Sequence, residues 1–233
     1  MDKLVTRNIV ALLLLAIGVF SPALLHADEQ DFASDFSFGV KHDLTKRLGI
    51  DAAFGARFAN NSQNLDRLSV EGGISANAIP KWLDLEVGYV YIADWNCHDD
   101  YFSHRHRYSL GFDLGHKLTK RLSTDLRCKW QSTYKKQDGK SFKWDPKDYL
   151  RIRLGFDYKI KKLPLYPHVS AEAFWTTNCP DGDHLENMRY VAGVKYKVTK
   201  RNTIDLGFQY DDEMNVANPK DRGMVFLGYK FKF

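Results

Sequence analysis

From residue 107 the chain reads R-Y-S-L-G-F-D-L-G, with Tyr108, Leu110, Phe112 and Leu114 on one phase of a period of two. Arg107, Ser109, Gly111, Asp113 and Gly115 occupy the other phase. A strand sends successive side chains to opposite faces, so this alternation predicts a strand with one apolar and one polar face. The same split sets Leu150, Ile152, Leu154, Phe156, Tyr158 and Ile160 against Arg151, Arg153, Gly155, Asp157 and Lys159. It recurs where Ile204, Leu206, Phe208 and Tyr210 oppose Asp205, Gly207, Gln209 and Asp211. Extended along the chain, the pattern predicts strands near 35–44, 48–58, 67–78, 83–94, 104–118, 122–134, 148–161, 165–176, 187–198, 202–211 and 222–233.

The connections between them alternate in kind. LTKRL stands at 44–48 and again at 118–122, VTKRN at 198–202, and the looser relatives AIPKWLD and KIKKLPL at 78–84 and 159–165. These short basic phrases recur about every 35 to 42 residues, a spacing that marks a repeated supersecondary unit, here a hairpin. Between them lie longer polar stretches at 60–66, 95–103, 135–147, 177–186 and 212–221. Short turns at one end and long loops at the other describe an antiparallel meander. Many of its strands reach the roughly ten residues that a tilted strand needs to cross a bilayer.

Alternation alone suits a soluble sandwich as well as a membrane barrel. The polar face separates the two, because it mixes charges with Gly55, Gly88, Gly111, Gly115, Gly155, Gly193 and Gly207. Glycine serves an exposed strand poorly, but it lets a barrel wall curve and leaves room inside. Tyr89, Tyr91, Trp130, Trp175, Tyr196 and Tyr210 on the apolar face suit the aromatic girdles of a membrane interface. The reading is an all-β, up-and-down transmembrane β-barrel of about twelve strands (10 to 12), with short periplasmic turns and longer extracellular loops. Eleven strands would leave the two ends on opposite sides, whereas single-chain bacterial barrels have even counts. Twelve strands, with 28–35 supplying the extra one, is therefore preferred over ten. A soluble exported barrel or sandwich is the alternative.

The chain's start agrees with export. Lys3 and Arg7, the apolar run at 9–20 and the small residue Ala27 read as a signal peptide over 1–27, leaving one barrel domain over 28–233. The run is short for a bilayer-spanning helix, which takes roughly 20 apolar residues. At the other end, Val225, Leu227, Tyr229, Phe231 and the terminal Phe233 share a face. Tyr229, Phe231 and Phe233 resemble the aromatic closing signal read by the outer-membrane assembly machinery. A formal charge of +5 over 233 residues is too mild to argue for nucleic acid.

The succession RHRYSLGFDL, KLTKRLSTDLRCKWQ, DYLRIRLGFDYKIKKLPLYPHVSAEAFW and MRYVAGVKYKVTKRNTIDLGFQY, ending in FLGYKFKF, resembles a catalogued family. This is the outer-membrane barrel family known as domain of unknown function 2490, common in Bacteroidota. The resemblance covers nearly the whole of 28–233. It implies a barrel in the outer membrane of a Gram-negative envelope, and it implies no activity.

Candidate chemistry lies first on the inward phase. Arg57, Arg105, Arg107, Arg127, Arg151, Arg153 and Arg189 share it with Asp51, Glu86, Asp113, Asp125, Asp157, Glu172 and Asp205. Arginine binds carboxylates through two parallel hydrogen bonds, so these residues are expected to pair across the lumen as packing. A polar channel or ligand site is the alternative. His98, Asp99, Asp100, His104 and His106 are dense but match no ligand spacing, and no metal or cofactor is expected. His168, Ser170 and Glu172 share a face, yet same-face neighbours stand about 7 Å apart, and no G-x-S-x-G turn occurs. No catalytic residue is therefore assigned. Of three cysteines, Cys128 falls mid-strand on the apolar phase, while Cys97 and Cys179 fall in loops on one side. Those two are either a disulfide or two thiols.

The functional expectation is an integral outer-membrane barrel, a narrow structural or small-solute one with a charged lumen. A lipid-modifying enzyme and a barrel that binds through its extracellular loops are the rivals. Expected partners are outer-membrane lipid, the assembly machinery and an unspecified small solute, with no nucleic acid.

Overall fold

The computed structural model describes residues 30–80, 82–96, 101–137, 145–216, 219 and 221–233. The alternating stretches form eleven strands: β1 (Gln30–Asp43), β2 (Leu48–Ala59), β3 (Asn64–Ile79), β4 (Leu83–Asn96), β5 (Tyr101–Lys117), β6 (Leu122–Gln137), β7 (Lys147–Tyr158), β8 (Leu165–Thr176), β9 (Leu185–Lys197), β10 (Asn202–Glu213) and β11 (Asp221–Lys232). Each pairs antiparallel with the next, and β1 closes on β11 to give one closed barrel.

Eleven lies within the ten to twelve expected. The twelfth strand is not formed: residues 30–35 lengthen β1 instead. The odd count has a geometric consequence, since an up-and-down meander of eleven strands ends in the direction it began. The seam is therefore parallel, in register from Gln30 opposite Asp221 to Lys41 opposite Lys232. This corrects the wholly antiparallel wall expected from the sequence. Parallel pairs are slightly weaker per residue, and the seam gains contacts from side chains. The Phe38 and Tyr229 rings stack at 5.7 Å and Lys232 pairs with Asp43 at 2.6 Å.

Strand starts after the short turns coincide with the expectation at 48, 83, 122, 165 and 202. On the loop side the ladders run further than the alternation, as where β5 begins at Tyr101 and β6 ends at Gln137. Backbone pairing continues there after the side chains have stopped alternating. Strands of 12 to 17 residues result.

The repeated TKR phrase makes one turn three times. Thr45 Oγ1 accepts the backbone N–H groups of Arg47 and Leu48 at 3.1 and 2.9 Å. Thr119 does the same for Arg121 and Leu122, and Thr199 for Arg201 and Asn202. In each copy the threonine N–H also donates across the turn, as from Thr45 to the Leu48 carbonyl at 3.0 Å. A short hydroxyl side chain that satisfies two turn amides explains why the phrase is reused.

Burial is the reverse of that in a water-soluble protein. Mid-strand Leu110 and Val87 are 58% and 56% exposed, and Phe54, Ile74, Ile152, Leu154, Val169 and Leu206 share that outer wall. Gln131 and Glu172, by contrast, are 3% and 6% exposed on the inner face. Soluble monomers seldom expose a contiguous apolar patch beyond a few hundred Å², and they bury charges only when paired.

Candidate functional site

The inner face is the site. Ion pairs between neighbouring strands line it: Arg57 with Asp35 at 3.2 Å, Arg127 with Asp113 at 2.8 Å, and Arg189 with Asp211 at 2.6 Å. Arg153 reaches Asp125 at 2.6 Å. Arg151 grips Glu172 with two hydrogen bonds, at 3.0 and 2.9 Å, and donates a third to Gln131.

Other pairs span strands that are not neighbours, a reach available only on the concave side of a curved wall. Lys129 on β6 meets Glu86 on β4 at 2.7 Å, Lys195 on β9 meets Asp157 on β7 at 2.8 Å, and His168 on β8 meets Asp205 on β10 at 2.9 Å. Glycine makes two of these crossings possible. Gly111 stands between Glu86 and Lys129 in the ladder, and a Cβ there would lie 3.1 Å from Lys129. Gly193 stands beside His168, whose ring would lie 2.7 Å from a Cβ at that position.

Of the residues expected in this network, two stand apart. Asp51 lies over Gly73 without an ion pair among the described residues. Arg107 has no carboxylate partner among them, and its Nε is buried without a hydrogen bond.

The network also holds charges that the sequence reading passed over: Asp35, Arg67, Asp94, Lys129, Lys195 and Asp211. Each keeps the inward phase of its strand, so following the alternation along every strand would have found them. Phe174 gave no such signal. Its ring faces inward and takes the guanidinium groups of Arg151 and Arg189 at 4.5 and 5.0 Å from its centre. Ile92, 1% exposed, and Phe226, packed against Gly207, also interrupt the polar lining.

The face shared by His168, Ser170 and Glu172 does not assemble a nucleophile with its base. His168 is engaged with Asp205, and Glu172 with Arg151. His104 and His106 lie on the outer phase, where their Nδ1 atoms meet the hydroxyls of Tyr91 and Tyr89 at 2.6 and 2.8 Å. His98, Asp99 and Asp100 lie outside the described residues. So does Cys97, the cysteine considered as a partner for Cys179; Cys128 and Cys179 are free thiols. At the closing strand, Phe233 packs edge-on to Phe231 at 4.8 Å and to His42 at 5.9 Å, and its N–H donates to the Lys41 carbonyl.

These features define a closed β-barrel with an ion-paired interior and an apolar outer wall. The model of the family described as "Protein of unknown function (DUF2490)" matches residues 36–222, and the chain belongs to that family. No curated protein matches the chain.

Proposed function

We propose that this protein is an integral outer-membrane β-barrel, exported by a signal peptide over 1–27, whose narrow charged lumen serves a structural or small-solute role. The observation that carries the reading is the inversion of burial: apolar side chains cover the outside and paired charges fill the inside. Water would strip such a wall into aggregates, whereas hydrocarbon solvates it. Every strand is long enough to cross a bilayer at a tilt. The wall is closed, so no backbone edge is left for lipid to satisfy. A wall of eleven strands lies between eight-stranded barrels, which side chains fill, and sixteen-stranded porins, which hold a water channel.

The reading is tested by cell fractionation together with gel mobility before and after heating. Recovery with outer membranes and a heat-dependent mobility shift are expected. A soluble periplasmic protein whose mobility is unchanged by heating would refute the reading.

A further inference from the structure

We infer that the turn end of the barrel docks anionic phospholipid headgroups on the cations of its short turns; this rests on the membrane reading above and names the lipid that the wall meets there. The charge in the connections is sorted by end. The five short turns, at 44–47, 80–82, 118–121, 159–164 and 198–201, hold ten lysines and arginines and no acid. The five connections opposite, at 60–63, 97–100, 138–146, 177–184 and 214–220, hold six acids and three cations. Closure of the meander gathers all the short turns around one mouth of the barrel.

The three threonine turns show that these cations serve neither the turn nor the wall. Lys46, Arg47, Lys120, Arg121, Lys200 and Arg201 are all exposed, and none has an ion pair or a side-chain hydrogen bond among the described residues. Each turn is closed by its threonine hydroxyl and backbone alone. Asp43 adjoins the first of them at the end of β1, but Lys232 engages it at 2.6 Å. Like charges gathered at one mouth without counter-charge repel one another, so a partner of opposite charge is what makes the arrangement favourable.

The apolar neighbours of the cations say which partner. Each phrase opens on a residue that continues the outer phase of the strand before it, Leu44, Leu118 or Val198, and all three are exposed. An apolar row two residues from a ring of cations fits a bilayer interface, where lysine and arginine reach phosphates from stems laid in hydrocarbon. An acidic soluble partner would answer the charges and leave the apolar row in water. Attraction of this kind falls off within about 8 Å at physiological salt, so it acts on lipid at the turn end only.

Two of the five tryptophans report the two ends separately. Trp82 stands at the turn end, exposed, with its ring 4.8 Å from that of His116, and Trp175 is exposed on the outer wall at the loop end of β8. The chain over 28–233 is prepared with one or the other as its single tryptophan, phenylalanine replacing the rest. Each is reconstituted in phosphatidylcholine bilayers doped with phosphatidylglycerol whose acyl chains carry bromine, a contact quencher, and brominated phosphatidylcholine at the same dose is the reference. Both leaflets have the same composition, so the direction of insertion is immaterial. At Trp82, phosphatidylglycerol is expected to quench as a lipid bound at least about threefold more tightly than phosphatidylcholine, and high salt is expected to remove the preference. At Trp175 the two lipids should quench alike. Glutamine at the six named positions is expected to lower the preference at Trp82 at least about twofold, and lysine in place of the three arginines to keep it.

Equal quenching by the two lipids at Trp82 would overturn the inference and leave the membrane wall intact. So would a preference as strong at Trp175, or one undiminished in the glutamine variant. Should that variant not fold, the parent decides, since a preference at Trp82 that high salt leaves unchanged would also overturn it. Quenching at neither tryptophan would overturn the membrane reading and this inference together.

Discussion

Lys129 on β6 passes over Gly111 on β5 to place its Nζ 2.7 Å from Glu86 Oε1 on β4. At this crossing the strand between carries no side chain, so glycine placement and ion pairing act here as one device. Gly111→Val is therefore expected to displace Lys129 and destabilise the barrel by about 1–3 kcal/mol, the usual cost of overpacking. Urea unfolding followed by gel mobility measures it, and a barrel of unchanged stability would show that the crossing carries no weight.

The paired arginines should differ among themselves. Glu172 is 7% exposed at its side chain and, among the described residues, is ion-paired with Arg151 alone, whereas Asp125, the partner of Arg153, is 26% exposed. Removing one partner of a buried pair strands the other, so Arg151→Met is expected to cost about 3–5 kcal/mol. Arg153→Met should cost no more than about 1 kcal/mol, because water replaces the lost partner. Equal losses from the two variants, read from the same unfolding curves, would contradict the burial argument.

Much of this wall is legible in the sequence, because a closed barrel writes its two faces directly into a period of two. Leu110 outside and Asp113 inside follow from phase alone. The parallel seam was hidden for a physical reason: pairing between the first and last strands is set by closure of the whole ring, which no local pattern encodes. The ion-pair partners were hidden for a related one. Phase assigns Glu86 and Lys129 to the same face, but register and the gap at Gly111 decide that they meet. Arg107 read as one more paired arginine until its neighbours across the ladder proved to be Val90 and Thr133.

The three threonine turns should act early and additively. Each threonine hydroxyl satisfies two turn amides, and water can substitute only in part at such exposed sites. Thr45→Val, Thr119→Val and Thr199→Val are expected to cost about 0.5–1 kcal/mol each. They are far enough apart to sum in the triple variant. A triple variant as stable as the parent would show that the phrase is kept for its charges rather than its turn.

Closing the ring depends on its last residue. Phe233 ties the end of β11 to Lys41 and His42 on β1. Its deletion is expected to lower the yield of heat-modifiable barrel in cells more than deletion of 139–142. Equal yields would separate Phe233 from assembly.

The central claim, that the apolar phase meets lipid and the polar phase meets water, is tested most directly on β5. In a background with Cys97, Cys128 and Cys179 replaced by serine, single cysteines at 108 to 113 are spin-labelled and the barrel is reconstituted in bilayers. Collision with oxygen reports hydrocarbon, and collision with a polar nickel chelate reports water. The account expects oxygen accessibility to peak at 108, 110 and 112 and to fall at 109, 111 and 113, with the chelate opposite or silent. Chelate access at 110 equal to that at 109, or no alternation at all, would contradict it.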